Sequence, residues 1–529
     1  MELARLKRAV RCCASIRVRV LNGEVSCAVP NCECAQPVGL RNIFELYAFL
    51  YRLLDNLNYT DYETICGSHP AEAKAALTEV EALWAAHMEA IGNRYRDAMQ
   101  LQLAEETEAL FSDLIESAAS SLLLLLRLMS FLRVLDEWLI ELREDIVLYR
   151  PERIPFRTVY GDVIPQRGAA LLRALTRHPL YKPPVDPNYL LLSKRVRSFH
   201  VTKSSYSYYE VKHVNAKLPI ERSIERVLEL SVGFLPGKWE LSRDYEIVVD
   251  ERPDERKRLP FRFSGVKSAA AYAAKVTECF GKLLSQTPDI VMLPELFTPP
   301  ELREELRSVA AAEAARRRGM ERERRRTSLI LTGSFHEERD GKLYNVGEVL
   351  GLNGRGLTDV YKMNQFILQA DDRLTGELAP FRKVDGVEKN AYDRRELTLL
   401  ETDLGRIAIL ICVDFLTSDL KDVLIDRQVD LIFVMSMTPN PAGGKFIRQM
   451  QEFAERNGAA VFVCNQLGTG PDPEGKLEAR VVVSLPGFRD VFVAGCEREV
   501  YRIGEILEQL EHVQKEKEKE RVRRSVRQE

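Results

Sequence analysis

The 529-residue chain lacks any apolar run long enough to cross a membrane. Its greasiest stretch, Ser121 to Leu126, reads SLLLLL and stops at Arg127. A spanning helix needs about 20 mostly apolar residues, so a buried helix is expected there and no membrane partner. The opening segment, MELARLKRAVRCCASIRVRVL, has no apolar core of the kind a secretory leader carries, and the expected location is cytoplasmic. Charge of one sign is also scarce. The net charge is -3, so no global basic field points to nucleic acid, which is not expected as a partner. No P-loop, HExxH or Rossmann phrase is present, and no cofactor is expected.

Cysteine is too sparse and too uneven for a disulfide framework, and free thiols in a reducing compartment are expected. Five of the ten cysteines fall in the first 40 residues: Cys12, Cys13, Cys27, Cys32 and Cys34. Their spacing lacks the paired C-x2-C knuckles of a zinc ribbon. Buried or incidental thiols are therefore favoured over a metal site, and no metal is expected.

The remaining composition is that of an ordinary globular protein, 45% hydrophobic and 29% charged. Its length suggests several domains. From about Arg41 to Leu148 apolar residues recur at three and four, as in Leu46, Phe49, Leu50, Leu53, Leu54 and Leu57. That spacing predicts helices, including one long helix, or two that meet, over 105–149. The stretch HPLYKPPVDP at 178–187 holds four prolines and reads as a connector. From about 225, short apolar runs alternate with helical stretches, which predicts an α/β domain with a buried sheet. The predicted division is a mainly helical domain at 1–190, a connector at 191–224, an α/β domain at 225–500 and a charged tail at 501–529. The arginine-rich run over Arg316–Arg318 and Arg322–Arg326 reads as a solvated helix face rather than an anion site. Tyr206, Tyr208 and Tyr209 read as packing residues rather than a base-stacking platform.

Three segments place one reactive residue at the end of an apolar strand: Glu295 in IVMLPELF, Lys362 in DVYKMNQF and Cys412 in IAILICVDFL. Strand ends are where α/β sheets present catalytic groups. Each residue alone has a bland reading, as a helix cap, an edge lysine or a core thiol. An acid, a base and a thiol at three strand ends of one domain make a stronger case together.

In this order the segments resemble the carbon–nitrogen hydrolase (nitrilase) superfamily, over about residues 225–500. PEL (294–296) is similar to that family's catalytic glutamate motif. GKLYNVGEVLGLNGRG (341–356) and YK (361–362) resemble the strands leading to its lysine. GRIAILICVDF (405–415) resembles its nucleophile segment, and AAVFVCNQLG (459–468) a later strand ending at Asn465. Val413 stands where the family often has an aromatic residue, and Asn364 where a histidine is common. The resemblance implies an α-β-β-α sandwich and hydrolysis of a non-peptide C–N bond in a small amide-type substrate. An amide or N-carbamoyl group is the expected substrate group, a nitrile less so. Cys412 would be the nucleophile forming a thioester, Glu295 the general base, and Lys362 with the Val413 backbone N–H the oxyanion donors. Glu377, in GELAPF, would be the second glutamate, with Glu388 as its rival. Asp414 would be a structural ion-pair partner. No SGGxDS phrase of an ATP-pyrophosphatase accompanies these motifs. Self-association is expected from the resemblance. A protein partner for the N-terminal half is a further expectation. The rival readings are a hydrolase fold retained as an interaction scaffold and a gated effector in a multi-protein system.

Overall fold

The computed structural model describes residues 18–21, 24–27, 42–55, 65–91, 105–149, 155–158, 160–166, 171, 175, 198–202, 208–216, 227–235, 244–318, 327–402, 404–438, 441–466, 480–495 and 499–526. The chain divides into two compact units. The first comprises Met1–Gln166 and Asp186–Tyr206, the second Arg167–Val185 and Ser207–Glu529.

The first unit begins with a hairpin, β1 (Val18–Leu21) and β2 (Glu24–Cys27). Helices α1 (Ile43–Asp55), α2 (Pro70–Ile91), α3 (Glu105–Glu116) and α4 (Ser121–Tyr149) follow. Asn42 starts α1 by accepting the Glu45 N–H at 2.9 Å through its side chain, which satisfies one orphan donor of the first turn. The long helical stretch is two helices, interrupted at 117–120. A small sheet completes the unit: β3 (Phe156–Thr158), β4 (Gly161–Pro165) and β5 (Phe199–Val201). One core joins them, from Phe44, Leu50 and Trp84 to Phe131, Leu135, Val163 and Phe199.

The second unit holds two large sheets. The first has the order β13-β12-β11-β10-β7-β22. Its members are β7 (Ser231–Phe234), β10 (Ile290–Met292), β11 (Leu329–Arg339), β12 (Lys342–Leu350), β13 (Gly356–Tyr361) and β22 (Val500–Arg502). The second has the order β21-β20-β19-β18-β17-β16-β6. It comprises β6 (Glu210–Asn215), β16 (Glu396–Thr402), β17 (Gly405–Ile411), β18 (Leu431–Met437), β19 (Ala460–Gln466), β20 (Val481–Ser484) and β21 (Phe492–Ala494). Strands β7, β10 and β11 run parallel, as do β17, β18 and β19.

Strand periodicity explains the layering, because alternate side chains face opposite ways. Ile290 and Met292 share a core with Ile407, Ile409, Ile411, Phe433 and Phe462 of the other sheet. Val291 points away, into a core with Tyr272, Val276 and Phe280 of α5 (Ala269–Ser285) and Leu302 and Leu306 of α6 (Pro300–Arg317). Each such buried aliphatic or aromatic side chain contributes about 1.5–3 kcal/mol. A four-stranded sheet of β14 (Ile367–Leu368), β15 (Gly386–Glu388), β9 (Leu259–Val266) and β8 (Tyr245–Val249) has the order β14-β15-β9-β8, with β15 paired to β9.

The first unit is mainly helical as expected and also carries strands, which at three to five residues are too short to show a period. Other sequence expectations need correction. The expected connector at 191–224 contains β5 of the first unit and β6 of the second, and 167–185 groups with the second unit. The expected tail at 501–529 begins inside the fold. It supplies part of β22 and the helix Ile503–Val526, whose Ile503, Ile506, Leu507 and Leu510 are buried in the sheet core. Arg316 and Arg317 bond Glu313, and Arg317 is buried. Tyr208 is exposed and Tyr209 buried. The proline-rich segment 178–187, Cys12, Cys13, Cys32, Cys34, Tyr206 and Arg322–Arg326 lie outside the described residues. Among the described residues no helix is long and apolar enough to cross a membrane.

Candidate active site

Glu295, Lys362 and Cys412 each follow a strand, β10, β13 and β17 respectively. All three are buried. The chain leaves Glu295 by a tight turn at Leu296, whose φ of 54° lies in the left-handed region. Such a conformation costs a residue with a side chain about 1–3 kcal/mol and persists only where its surroundings impose it. Here they do. Tyr245 Oη donates to the Leu296 carbonyl at 2.8 Å. Tyr272 Oη donates to the Phe297 carbonyl, and Thr298 Oγ1 to the Thr332 carbonyl. Burial raises the pKa of both tyrosines well above the usual value, so both remain donors. Gly333 (φ 79°) lets β11 approach this turn, since a Cβ there would run into the Pro294 carbonyl oxygen.

Cys412 has φ 49° and opens a short 3-10 turn, Cys412–Leu416. Its thiol points to the Met437 carbonyl oxygen at 3.9 Å, and Ser436 Oγ lies 3.8 Å from Sγ. Lys362 is held from both sides. Its Nζ lies 2.7 Å from Glu295 Oε1 and 2.5 Å from Glu388 Oε2, and 5.7 Å from the centroid of the Phe366 ring. Asn345 on β12 donates to both carboxylates, at 3.1 Å to Glu295 and 3.0 Å to Glu388.

Burial dominates the electrostatics and the fixed partners decide the outcome. Burial pushes the Glu295 carboxyl up, against Lys362. Burial opposes the charge on Lys362, but Glu295 and Glu388 outweigh it and hold its pKa well above the usual lysine value. Burial also opposes the charge on Glu388. There Lys362 and the His336 side chain prevail, and its pKa falls well below the carboxylate range. The Cys412 thiol is pushed up by burial and by Glu295, with Lys362 opposing. At rest the cluster therefore holds a thiol, not a thiolate, beside a carboxylate placed to receive its proton.

The geometry corrects two expectations. Glu377 does not join the lysine. It sits in the 3-10 turn Gly376–Arg382 and pairs with Lys267 at 3.1 Å, with its side chain 42% exposed. The place beside Lys362 belongs to Glu388, at the end of β15. Asp414 is not an ion-pair partner. It accepts the Met363 N–H at 3.0 Å and Asn364 Nδ2 at 2.9 Å, fixing the loop that leaves the lysine. Val413 follows the thiol in the 3-10 turn. Cys464 faces away from the cluster and donates to the Met292 carbonyl at 3.4 Å. Asn465 locks the loop after β18 through two bonds of 2.9 Å to the Thr438 backbone. Sequence reasoning missed His336, whose Nε2 lies 2.9 Å from Glu388 Oε1, and gave Asn345 no role. The period-2 alternation of β11 and β12 would have placed both side chains on defined faces.

The carbon-nitrogen hydrolase family profile matches residues 265–485, a span that includes Glu295, Lys362, Glu388 and Cys412. Residues 265–485 are a carbon-nitrogen hydrolase domain. Solved structures similar to this chain include an amidase from Nesterenkonia sp., at 13% identity and a TM-score of 0.33, covering 54% of this chain and 96% of that one. Another is the glutamine-dependent NAD+ synthetase from Acinetobacter baumannii, at 15% identity and a TM-score of 0.33, covering 51% of this chain and 44% of that one. No curated protein matches the chain.

Proposed function

We propose that the carbon-nitrogen hydrolase domain, read as an α-β-β-α sandwich, is an enzyme that hydrolyses a non-peptide C–N bond through a thioester on Cys412. The substrate group is an amide or N-carbamoyl carbonyl, with a nitrile the lesser choice. The observation that carries this reading is Lys362 clamped between Glu295 and Glu388, with the buried Cys412 thiol within the electrostatic reach of both Glu295 and Lys362.

The steps follow from those contacts. Glu295 takes the thiol proton as Sγ attacks the carbonyl carbon. The carbonyl electron pair moves to oxygen, where Lys362 and the Val413 N–H stabilise it. The tetrahedral adduct collapses, the C–N bond breaks, and Glu295 returns the proton to the leaving amine. Glu295 then takes a proton from water as its oxygen attacks the thioester, which releases the acid and restores the thiol. Glu388 stays ionised throughout as the counter-ion of Lys362.

The test is a panel of small amides and N-carbamoyl compounds. Ammonia or amine release and the mass of the intact protein are followed together. The expected result is release with a transient acyl adduct on Cys412 for at least one compound. An acyl adduct on another residue, with turnover surviving in Cys412→Ala, would sink this assignment.

A further inference from the structure

We propose that His336 is a positioning residue of this site: its imidazole Nε2–H, fixed by strand β9, holds Glu388 as the permanent anion that aims Lys362. The inference rests on the hydrolase reading and adds to it a residue, a tautomer and a division of labour between the two glutamates.

The tautomer follows from the two bonds the ring makes. Nδ1 lies 2.9 Å from the backbone nitrogen of Phe263 on β9. That nitrogen can only donate, so Nδ1 accepts and carries no proton. The ring's proton is then on Nε2, directed at Glu388 Oε1 at 2.9 Å. Nothing about the ring is free to change: His336 is buried, and its Nδ1 partner is a main-chain group. The orientation of a histidine by the bond at its other nitrogen is a recurring device for setting what the ring does.

The consequence falls on the glutamates. Glu388 receives Nε2–H of His336, Nδ2–H of Asn345 at 3.0 Å, Nζ–H of Lys362 at 2.5 Å and the Phe366 N–H at 3.3 Å. Among the described residues, Glu295 receives the lysine at 2.7 Å and Asn345 at 3.1 Å, two donors against four. Donors stabilise the ionised form of a carboxylate. The better-supplied carboxylate therefore keeps its charge, and the other is left to exchange the proton. Tyr392 closes the cluster by donating to the Glu388 backbone carbonyl at 3.0 Å rather than to its carboxylate. Without the imidazole donor, the pair of carboxylates becomes more basic and captures a proton at higher pH, which disables Glu295 as a base. The groups that titrate together are Glu295, Glu388, Lys362 and Cys412.

The experiment needs no knowledge of the substrate. Alkylation of Cys412 in the full chain by 2-chloroacetamide is followed by intact and peptide mass across pH. The variants are His336→Phe, which removes the donor, and His336→Gln, whose amide can place an N–H near the position of Nε2. His336→Met repeats the first arm if the phenylalanine variant does not fold. Loss of one hydrogen bond to a charged group predicts alkylation about 10- to 100-fold slower at neutral pH in His336→Phe. The acid limb of its pH–rate curve should move up by about one unit. His336→Gln should recover to within about threefold of the parent rate, because it restores the charge-assisted donor. A folded His336→Phe or His336→Met with the parent rate and pH curve overturns the positioning role alone. So does a glutamine variant as slow as the phenylalanine variant. A parent chain whose Cys412 resists 2-chloroacetamide overturns the hydrolase reading and the positioning role together.

Discussion

Strand β17 has a buried histidine–glutamate–cation cluster at each end. At its start, His213 Nδ1 lies 2.8 Å from Glu401 Oε1, and Arg406 Nε bonds the same oxygen at 2.6 Å. Beyond its end, His336 meets Glu388 at 2.9 Å and Lys362 meets Glu388 at 2.5 Å. The backbone of β17 separates Arg406 from Cys412 by about 20 Å, from the rise of a strand over six residues. A buried charged triad is therefore not, by itself, a site. The first cluster closes on itself: the Arg406 fork spans Glu401 and also donates to the Arg427 carbonyl. The second has a lysine, which offers a movable point charge rather than a fixed fork. It also has a second carboxylate, Glu295, and a thiol. Those three differences separate a structural ion cluster from a reactive one, and each can be tested by substitution.

The sharpest test removes the nucleophile. Cys412→Ala should lower amide hydrolysis by about 10⁴-fold or more, since covalent catalysis has no substitute for its attacking atom. Cys464→Ala should retain activity, because its thiol faces β10. Turnover and acyl-adduct mass distinguish the two, and comparable losses in both would erase the contrast. At the other end of the strand, Glu401→Gln should remove the buried carboxylate that pairs with Arg406. The expected loss is about 3–5 kcal/mol of stability, read as a lower urea midpoint. The pH–rate curve of the protein that remains folded should be unchanged. A shift in that curve would mean that the two ends are coupled.

The third test separates the two glutamates. Glu388→Gln should cost about 10²-fold in turnover, because Lys362 loses one of its two buried counter-ions. Glu377→Gln should stay within about threefold of the parent, since a half-exposed pair with Lys267 contributes at most about 1 kcal/mol. Equal losses in the two would show that position relative to the lysine does not decide which glutamate matters.

Those glutamates also show where sequence reading ran out. Glu295, Lys362 and Cys412 were legible because each ends or follows a strand flanked by apolar residues. Glu388 closes a three-residue strand, Gly386–Glu388, within the polar stretch 363–396. One valine beside it carries no periodic signal, so the phrase around Glu377 drew attention instead. His336 drew no attention in the sequence because Glu337, Glu338, Arg339 and Asp340 follow it, yet β11 extends through Arg339 and its imidazole is buried. In the last helix the stripe Ile503, Ile506, Leu507 and Leu510 has ordinary amphipathic spacing. It was obscured by the charged residues that follow. In the first unit, β3 to β5 are three to five residues each, and their pairing spans some 40 residues of chain. Such long-range contacts leave no local pattern to read.

Asp414 is a third kind of buried carboxylate, held by N–H groups and not directly paired with a cation, and it sharpens the comparison through pH. Burial raises its pKa to about 7 from the ordinary 3.8, with the Met363 N–H and Asn364 partly opposing the rise. The sign follows from proton uptake. Between the ordinary value and about 7 the folded chain holds a proton on Asp414 that the unfolded chain has released, so stability falls as pH rises through that window. Glu388 works the opposite way: its depressed pKa adds stability above the ordinary carboxylate range, lost only as pH falls toward its folded value. Asp414→Asn keeps a side-chain oxygen for the Met363 N–H and removes the titration. The variant should therefore gain stability relative to the parent as pH rises from 5 to 7, by at most about 1.4 kcal/mol per pH unit. The difference should level off above that window. Urea unfolding of both proteins at pH 5, 6, 7 and 8 measures it. A difference that stays flat would mean that Asp414 is ionised throughout, as Glu388 is, and that the N–H groups around it stabilise charge as well as a buried cation does.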